Sequence, residues 1–554
     1  IVALLQERLE RLESNARRVL RAASVFGESF WQGGVEALVG TADAPSVSAW
    51  LEELTRRDLV QRKATSRFDG EAELGFRHAL VRDAAYASLT DADLLVGHRL
   101  AANWLETHGE PEPASIARHY ALGQEPLQAA RHWTRAAALA FEHNDLPKAL
   151  DLVRRVEATG LPTDPAERAA FDAIAFKAGY WSGQLQSTIQ RAEKALGSAQ
   201  FGTPAWHELA VLFLRASATE QDPRMSRILE DLSAALEKDP ALRRPTEALG
   251  EVTMALLRDG DRERAERTIT LFGGEGTAPL ARAYGARAKS WVAMFDGDVS
   301  ACIQLDRDAA EAFEAAGHRR EALAAHGALA YDWMLVGEWE KARDGFARIA
   351  EKAQAGGMEF IAHNARHNLG FVLLRLGDAE KCVEIQRHSI NTATEERKVV
   401  VKYSYSYLSK ALEALGRFDE AIEAAEKARE GDTFISVEAM AATLGSRAAR
   451  ARGDFDRSLE LAAKAKALLE ERGVLEEGEQ EVRNEWAKAL LAAGRLDEAR
   501  EAARLARDAV LDKAKKLQDE ATRASFVSRI PEHREALDLA EHLLSEESPG
   551  EGRA

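Results

Sequence analysis

A short phrase, roughly Leu-x-Gly-x-aromatic-acidic-x-small, recurs along this chain about every 39 residues, and a period of that size restricts the fold to a stack of similar supersecondary units. The plainest copies are Gly337-Glu338-Trp339-Glu340-Lys341-Ala342, Gly416-Arg417-Phe418-Asp419-Glu420-Ala421, Gly453-Asp454-Phe455-Asp456-Arg457-Ser458 and Gly494-Arg495-Leu496-Asp497-Glu498-Ala499. Weaker copies start at Gly260, Gly297 and Gly377, and degenerate ones at Asn144, Gly183 and Gln221. Successive anchors lie 37 to 41 residues apart. The glycine gives the backbone freedom to leave one helix, and the acidic residue after it opens the next. Each unit is therefore a helical hairpin.

Five residues after the anchors stand Ala149, Thr188, Ser226, Ala265, Cys302, Ala342, Cys382, Ala421, Ser458 and Ala499, all small. A small side chain lets the second helix approach the first closely, where Leu would overpack. Ala330, Gly370, Ser409 and Ala487 hold a matching small position seven residues before their anchors. Both cysteines of the chain, Cys302 and Cys382, fall in the slot two units apart. They read as buried apolar fillers, and the lack of a disulfide framework or metal-ligand spacing predicts a reducing, cytoplasmic setting.

These features resemble the tetratricopeptide repeat, with its apolar start, Leu-Gly, turn glycine and second-helix Ala. The match is best over 322–352, 362–392, 404–430 and 480–508 and extends in weaker form over about 144–530. The period exceeds the family's usual ~34 residues, which implies helices about one turn longer.

Before residue 144 the rhythm changes. Helices are expected over about 13–25, 32–39 and 47–57, followed by two short apolar stretches, Asp58–Arg62 and Glu73–His78, around a charged turn at 67–71. Three helices with a small β-hairpin read as a winged helix. The phrases Arg17–Gly27, Phe76–Leu89, His98–Ala101 and Ile116–Tyr120 resemble the region after the nucleotide-binding core of STAND-type bacterial ATPases. In that family an AAA-like module precedes a winged helix and a tetratricopeptide array, with kinase, adenylate cyclase or DNA-binding outputs. The chain begins Ile1-Val2-Ala3 without methionine, so a preceding ATPase module is expected. The expected architecture is mainly α: a winged-helix-like domain at 1–110, linking helices at 111–143, an α-solenoid of about ten hairpins at 144–530, and a capping helix with a disordered tail at 531–554.

Charge and motifs narrow the function. The chain carries 74 Lys or Arg against 91 Asp or Glu, a net charge of −17, which disfavours attraction to nucleic acid and to anionic membranes. Residues 1–110 hold 13 basic against 17 acidic residues, and the candidate recognition helix sets Glu52 and Glu53 beside Arg56 and Arg57. No apolar run reaches the ~18 to 20 residues of a membrane span. No G-x-x-x-x-G-K-[ST], H-E-x-x-H, G-x-S-x-G or kinase signature occurs. The glycine cluster Phe272–Thr277 reads as a loop between hairpins, so ATP is expected only on the preceding module and no cofactor or metal on this chain.

The candidate contacts are polar and aromatic residues of the first helices, which line the inner groove of such arrays: Trp291, His326, Trp333, His363, Asn364, His367, Asn368, Tyr403 and Tyr405. His78, Arg82, Asp83 and Tyr86 form a candidate interdomain hydrogen-bond cluster on one helix face. The expectation is a non-catalytic regulatory region that binds a protein, peptide or small effector and couples it to the ATPase. Alternatives are a free-standing scaffold and a winged-helix DNA-binding regulator.

Overall fold

In a computed structural model the described residues are 12–40, 44–219, 222–239, 247–272, 279–392, 398–430, 435–473, 475 and 477–545. The Gln221 anchor, most of the 272–277 glycine cluster and the tail after Ser545 lie outside them. The chain forms two compact units that divide after Ala178.

The N-terminal unit opens with α1 (Ser14–Phe26), β1 (Ser29–Trp31), α2 (Gln32–Val39), α3 (Ala44–Arg56), β2 (Val60–Arg62) and β3 (Glu73–Phe76). The expected hairpin pairs Val60 with Phe76 and Gln61 with Gly75. An unexpected third strand, β1, adds to its other edge, with Phe30 opposite Leu74, giving an antiparallel order β1-β3-β2. Three residues, Ser-Phe-Trp, are too short for a periodicity to announce them. Their two apolar side chains are buried: Trp31 stacks on Trp104, ring centroids 5.5 Å apart, and Phe26 meets Trp104 edge-on at 5.8 Å. Trp104 belongs to α5 (Asp91–Thr107), which follows α4 (Ala79–Ala87). Thr90 opens α5 with a capping box to Asp93, satisfying two backbone donors at once. Helices α6 (Pro113–Leu122), α7 (Pro126–Glu142) and α8 (Leu146–Thr159) then pack in sequence, α5 on α6, α6 on α7 and α7 on α8. Stepwise helix stacking thus begins before the first anchor.

Helix α9 (Pro165–Ser182) is followed by α10 (Leu185–Ser198), α11 (Pro204–Thr219), α12 (Met225–Lys238), α13 (Leu249–Arg258), α14 (Arg262–Phe272), α15 (Pro279–Phe295), α16 (Val299–Ala315), α17 (Arg319–Leu335) and α18 (Trp339–Ala355). The array continues with α19 (Glu359–Arg375), α20 (Ala379–Asn391), α21 (Lys398–Ala414), α22 (Phe418–Arg429), α23 (Ile435–Ala451), α24 (Phe455–Arg472), α25 (Glu479–Ala492) and α26 (Leu496–Lys516). Two shorter helices, α27 (Glu520–Ser528) and α28 (Pro531–Ser545), end it.

Every described anchor has a left-handed backbone. Gly183, Gly260, Gly297, Gly337, Gly377, Gly416, Gly453 and Gly494 have φ between 69° and 97°, and Asn144 stands at 61°. Asn is the side chain that tolerates this region best after Gly, which explains how a degenerate copy keeps the same turn. The small slot is buried at all ten positions except Ser226, which is half-buried. It meets the small residue seven before the anchor: Cys302 Sγ donates to Ser290 O at 3.4 Å, and Ser446 Oγ lies 2.9 Å from Ser458 Oγ. A Cβ at Gly370 would sit 2.6 Å from Gln386 Nε2. Burial pushes both thiols up, Cys382 to about 12. Neither forms a disulfide, so both are expected to resist a thiol reagent until the array unfolds; labelling at the native rate of a free thiol would contradict this.

At Gly416 nothing lies within 4 Å of an added Cβ, so Gly416→Ala isolates backbone strain and should lower stability by about 1 kcal/mol. Asn144→Gly should raise it by a few tenths of a kcal/mol at the same left-handed geometry. Shifts of the denaturant midpoint check both signs.

Candidate functional site

The first helices of successive hairpins, α9, α11, α13, α15, α17, α19 and α21, supply most of the wall of a chamber of about 400 Å³ in the C-terminal unit. Its most buried cation is Arg215, from an otherwise apolar stretch of α11, Val211-Leu212-Phe213-Leu214-Arg215-Ala216. The guanidinium lies over the rings of Tyr180 at 4.5 Å and Trp181 at 4.7 Å. Three carboxylates surround it: Glu247 and Glu251 at 3.3 Å and Glu321 at 3.9 Å. Tyr180 also donates to Glu251 Oε1 at 3.2 Å. Despite the desolvation that opposes charge, these acids and the Tyr180 hydroxyl hold Arg215 firmly protonated.

A second charge centre joins α15 to α16 and α17. Arg287 is ion-paired with Asp306 and lies 5.5 Å from the Trp291 ring, while Ser290 Oγ donates to Asp306 Oδ2 at 2.9 Å. Beside Asp306 is Asp332, only 3 % exposed, whose carboxyl is pushed far up by burial and by the Asp306 carboxylate. Both effects favour the neutral form of Asp332.

On α19, His367 stacks on Tyr407 with centroids 4.3 Å apart. Gln386 Nε2 donates to His367 O at 2.8 Å, which leaves Gln386 Oε1 to accept from His367 Nδ1 at 3.0 Å. Burial lowers the imidazole to about 3, so its ring is neutral. Tyr407 and Tyr331 both donate to Glu477 Oε1, at 2.7 and 3.1 Å.

Tyr331, Glu477 and Met294 are shared with a second chamber of about 360 Å³. Its far wall comes from the end of the array, which returns across the hairpin turns. Trp339 Nε1 donates to Arg529 O at 3.2 Å, Arg529 pairs with Glu340 at 2.7 Å, and Lys516 reaches Asp296 O. A Cβ at Gly337 would lie 3.2 Å from Ser525 O, so this anchor glycine serves both its turn and the return contact.

Beside the second chamber, α25 buries Glu481 and Glu485 in a paired network. Lys410 lies 2.7 Å from Glu481, with Arg447 at 3.6 Å and Arg375 at 3.8 Å; Arg450 lies 3.1 Å from Glu485. These cations hold the Glu481 carboxyl well below its ordinary 4.5 against the burial that would raise it.

Of the sequence-derived groove residues, Trp291, Asn364, His367, Asn368 and Tyr403 line the first chamber. His326 instead pairs with Glu314 at 2.9 Å in an accessible position, and Trp333 lies under the Lys341 ammonium at 4.3 Å. His363 is buried outside the chamber wall, and Tyr405 packs into the core with Leu408 and Ala424. Alternating tyrosines on a helix diverge by about 200°, so Tyr403 and Tyr405 could not share one face. The residues missed are the interior charges, buried at Arg215, Asp306 and Asp332 and half-buried at Glu251 and Arg287. One signal was available: Asp332 interrupts the apolar run Leu329-Ala330-Tyr331-Asp332-Trp333-Met334-Leu335.

The expected cluster in the N-terminal unit separates. His78 is exposed, in extended backbone just before α4, so it does not share a helix face with Arg82. Arg82 pairs with Asp83 at 2.6 Å and Glu28 at 3.4 Å. Tyr86 turns inward to His98 Nε2 at 2.8 Å, and His98 Nδ1 meets His119 Nδ1 at 2.9 Å. Two facing nitrogens share one proton, and burial lowers His98 to about 4 and His119 to about 3.

Residues 361–433 match the tetratricopeptide repeat family. Comparison with curated proteins gives no match. Among solved structures, the chain is similar to a signal transduction ATPase with numerous domains (STAND) protein with a tetratricopeptide repeat sensor from Pyrococcus horikoshii, at 14% identity and a TM-score of 0.35; the alignment covers 85% of this chain and 66% of that one, just under two thirds of its length. It is also similar to the APC/C hetero-tetramer Cut9–Hcn1, at 12% identity and a TM-score of 0.38, covering 83% and 97% of the two chains. A Rap protein complexed with competence and sporulation factor aligns at 12% identity and a TM-score of 0.39, covering 69% and 99%. Among the described residues no helix is long and apolar enough to cross a membrane, and no group of acidic, His or Cys side chains could hold a metal.

Stability should fall in two stages on acidification. Unfolded histidine takes up a proton near 6.5, whereas His98, His119 and His367 stay neutral in the native state down to about 3 to 4, so the unfolded state binds more protons and loss begins below about pH 6.5. Glu481, depressed below 4.5, adds a second loss below that value. Glu481→Gln should shrink the second stage, to which Glu479 and Glu535 also contribute, and cost about 3 kcal/mol at neutral pH, because it strips buried cations of a partner. Denaturant unfolding from pH 7 to 3 samples both; an unchanged midpoint over that range contradicts the assignment.

Proposed function

We propose that this chain is the sensing and relay region of a larger signalling protein. Its repeats are a protein-interaction fold, and their interior takes the effector. The N-terminal unit passes the event to a nucleotide-hydrolysing module ahead of Ile1, joined to a kinase or cyclase output. The observation that carries this reading is the chamber: charged side chains are buried in the middle of helices, facing a space large enough for a ligand, where a purely structural repeat would place apolar residues. In this reading the chain itself is non-catalytic, ATP binds the preceding module alone, and the setting is cytoplasmic.

The helix, strand, helix, helix, strand, strand order supports a winged helix in the N-terminal unit. A relay role is favoured over DNA contact because Glu53 already holds both Arg56 and Arg57, the latter at 2.6 Å, and a helix whose cations are internally neutralised has little to offer phosphates. The second reading, a free-standing scaffold, draws on the tetratricopeptide match of 361–433.

Gly327 tests the relay. It lines the chamber, and an added Cβ there meets nothing within 4 Å, so Gly327→Phe should fill the space without lowering the melting temperature. In the protein expressed from its natural start, this variant should shift ATP hydrolysis severalfold. An unchanged rate with an unchanged fold would leave the scaffold reading.

A further inference from the structure

Resting on the reading of the chamber as an effector site, we propose that it binds a small organic cation: an amine or guanidine on an apolar or aromatic body. Three independent features converge on that chemistry. The first is size and lining. About 400 Å³, walled in part by Tyr284, Trp291, Phe313 and Phe346, lies within the ~300–1,000 Å³ of small-molecule sites and suits an apolar body with few polar groups. Aromatic faces also favour cations over anions.

The second feature is charge. The lining carboxyl groups are Glu247, Glu251, Glu321, Asp306, Asp332 and Glu477, and they outnumber the guanidiniums Arg215, Arg258 and Arg287. Arg215 already faces three of the acids and Arg287 holds Asp306. An incoming anion would meet carboxylates whose cations are committed. An incoming cation meets an excess of acceptors in a low-dielectric space, where a charge-assisted hydrogen bond is strongest.

The third feature is unmet hydrogen bonding at two places in the wall. Tyr284 Oη and Asp332 Oδ2 make no hydrogen bond among the described residues, although the side chains are 5 % and 3 % exposed. Both residues line the chamber. Buried polar atoms are nearly always partnered in folded proteins. An ammonium or guanidinium brings several donors and no acceptor, which is what a carboxyl oxygen and a phenol oxygen can both use. A neutral alcohol supplies one donor, and a carboxylate none.

The test uses three probes with one body, 2-phenylethylamine, 2-phenylethanol and 3-phenylpropionate, titrated by calorimetry into the full 554-residue chain. The amine should bind at least about tenfold more tightly than either of the others, equivalent to one charge-assisted contact. Asp332→Asn, which keeps the shape of a protonated acid, and Tyr284→Phe should each weaken the amine about tenfold and leave the alcohol unchanged. Gly327→Phe should abolish binding of all three with the melting temperature retained. Equal affinity for the three probes, preference for the carboxylate, or amine binding untouched by both wall variants would overturn the cation assignment while leaving an effector site in place. No binding of any probe at millimolar concentration would overturn the cation assignment and withdraw the chamber's support for the sensing role as well.

Discussion

The contact between two small residues on either side of a left-handed turn is the constraint from which the rest of the array follows. Helix axes can approach closely only where neither partner projects a long side chain, and here the slot five residues after the turn meets the small position before it, as Cys302 meets Ser290 and Ser446 meets Ser458. The turn fixes the register of the two helices, and the slot fixes their separation. Repetition of both then places every first helix on the same side. Without that repetition Tyr180, Arg215, Glu251, Arg287, Asp332 and Asn364, which are up to 184 residues apart in sequence, would have no reason to face one space.

A stack of hairpins is open at both ends in principle, since each unit needs only its neighbours. This array does not stay open. Segments from 516 to 532 reach the turns at 296, 337 and 375, through Lys516 to Asp296 O, Trp339 to Arg529 O, and Arg375 to Glu532 at 2.5 Å. These are contacts between residues about 150 to 220 positions apart, so they form late by loop-closure arguments. They also give the second chamber its far wall. Closure converts what the repeat alone would make a groove into a walled space of about 360 Å³.

Much of this was legible in the sequence because it repeats. The anchors, the small slot and the burial of both cysteines all follow from a pattern seen several times, and Asn144 at φ 61° shows that even a degenerate copy preserves the geometry. The chamber was only half legible. Aromatic and amide residues on the first helices marked Trp291, Asn364 and Tyr403, but a single helix face does not say which of its polar residues points inward and which, like His326, finds a neighbour on the rim. Arg215 and Asp332 were missed because charge is read as exposure. What distinguishes them is that they interrupt apolar runs, a local contradiction that sequence reasoning can use. Strand β1 was missed for the opposite reason: three residues carry too little pattern.

The two interior clusters of charge differ in a way that separates structure from function. Around Glu481 and Glu485 each buried carboxylate has cations within 4 Å, and the surrounding lysine and arginines are engaged in turn. Such a network pairs its acids from within, although Arg375 Nε and Arg447 Nε find no acceptor among the described residues; it specifies how α19, α21, α23 and α25 register, and replacing it whole with apolar residues could be neutral or stabilising. The chamber is built from the same residue types and is not complete. Burial and the Asp306 carboxylate favour a neutral Asp332, and the buried Tyr284 hydroxyl has no hydrogen-bond partner among the described residues. If these groups served packing alone, Phe and Asn at 284 and 332 would fill the same space without the desolvation cost of a phenol and a carboxyl. The network around Glu481 shows that this fold can satisfy buried acids from within. Where it does not do so, Asp332 Oδ2 and Tyr284 Oη belong to side chains that line a space of about 400 Å³, and the missing partner is most simply one that comes and goes.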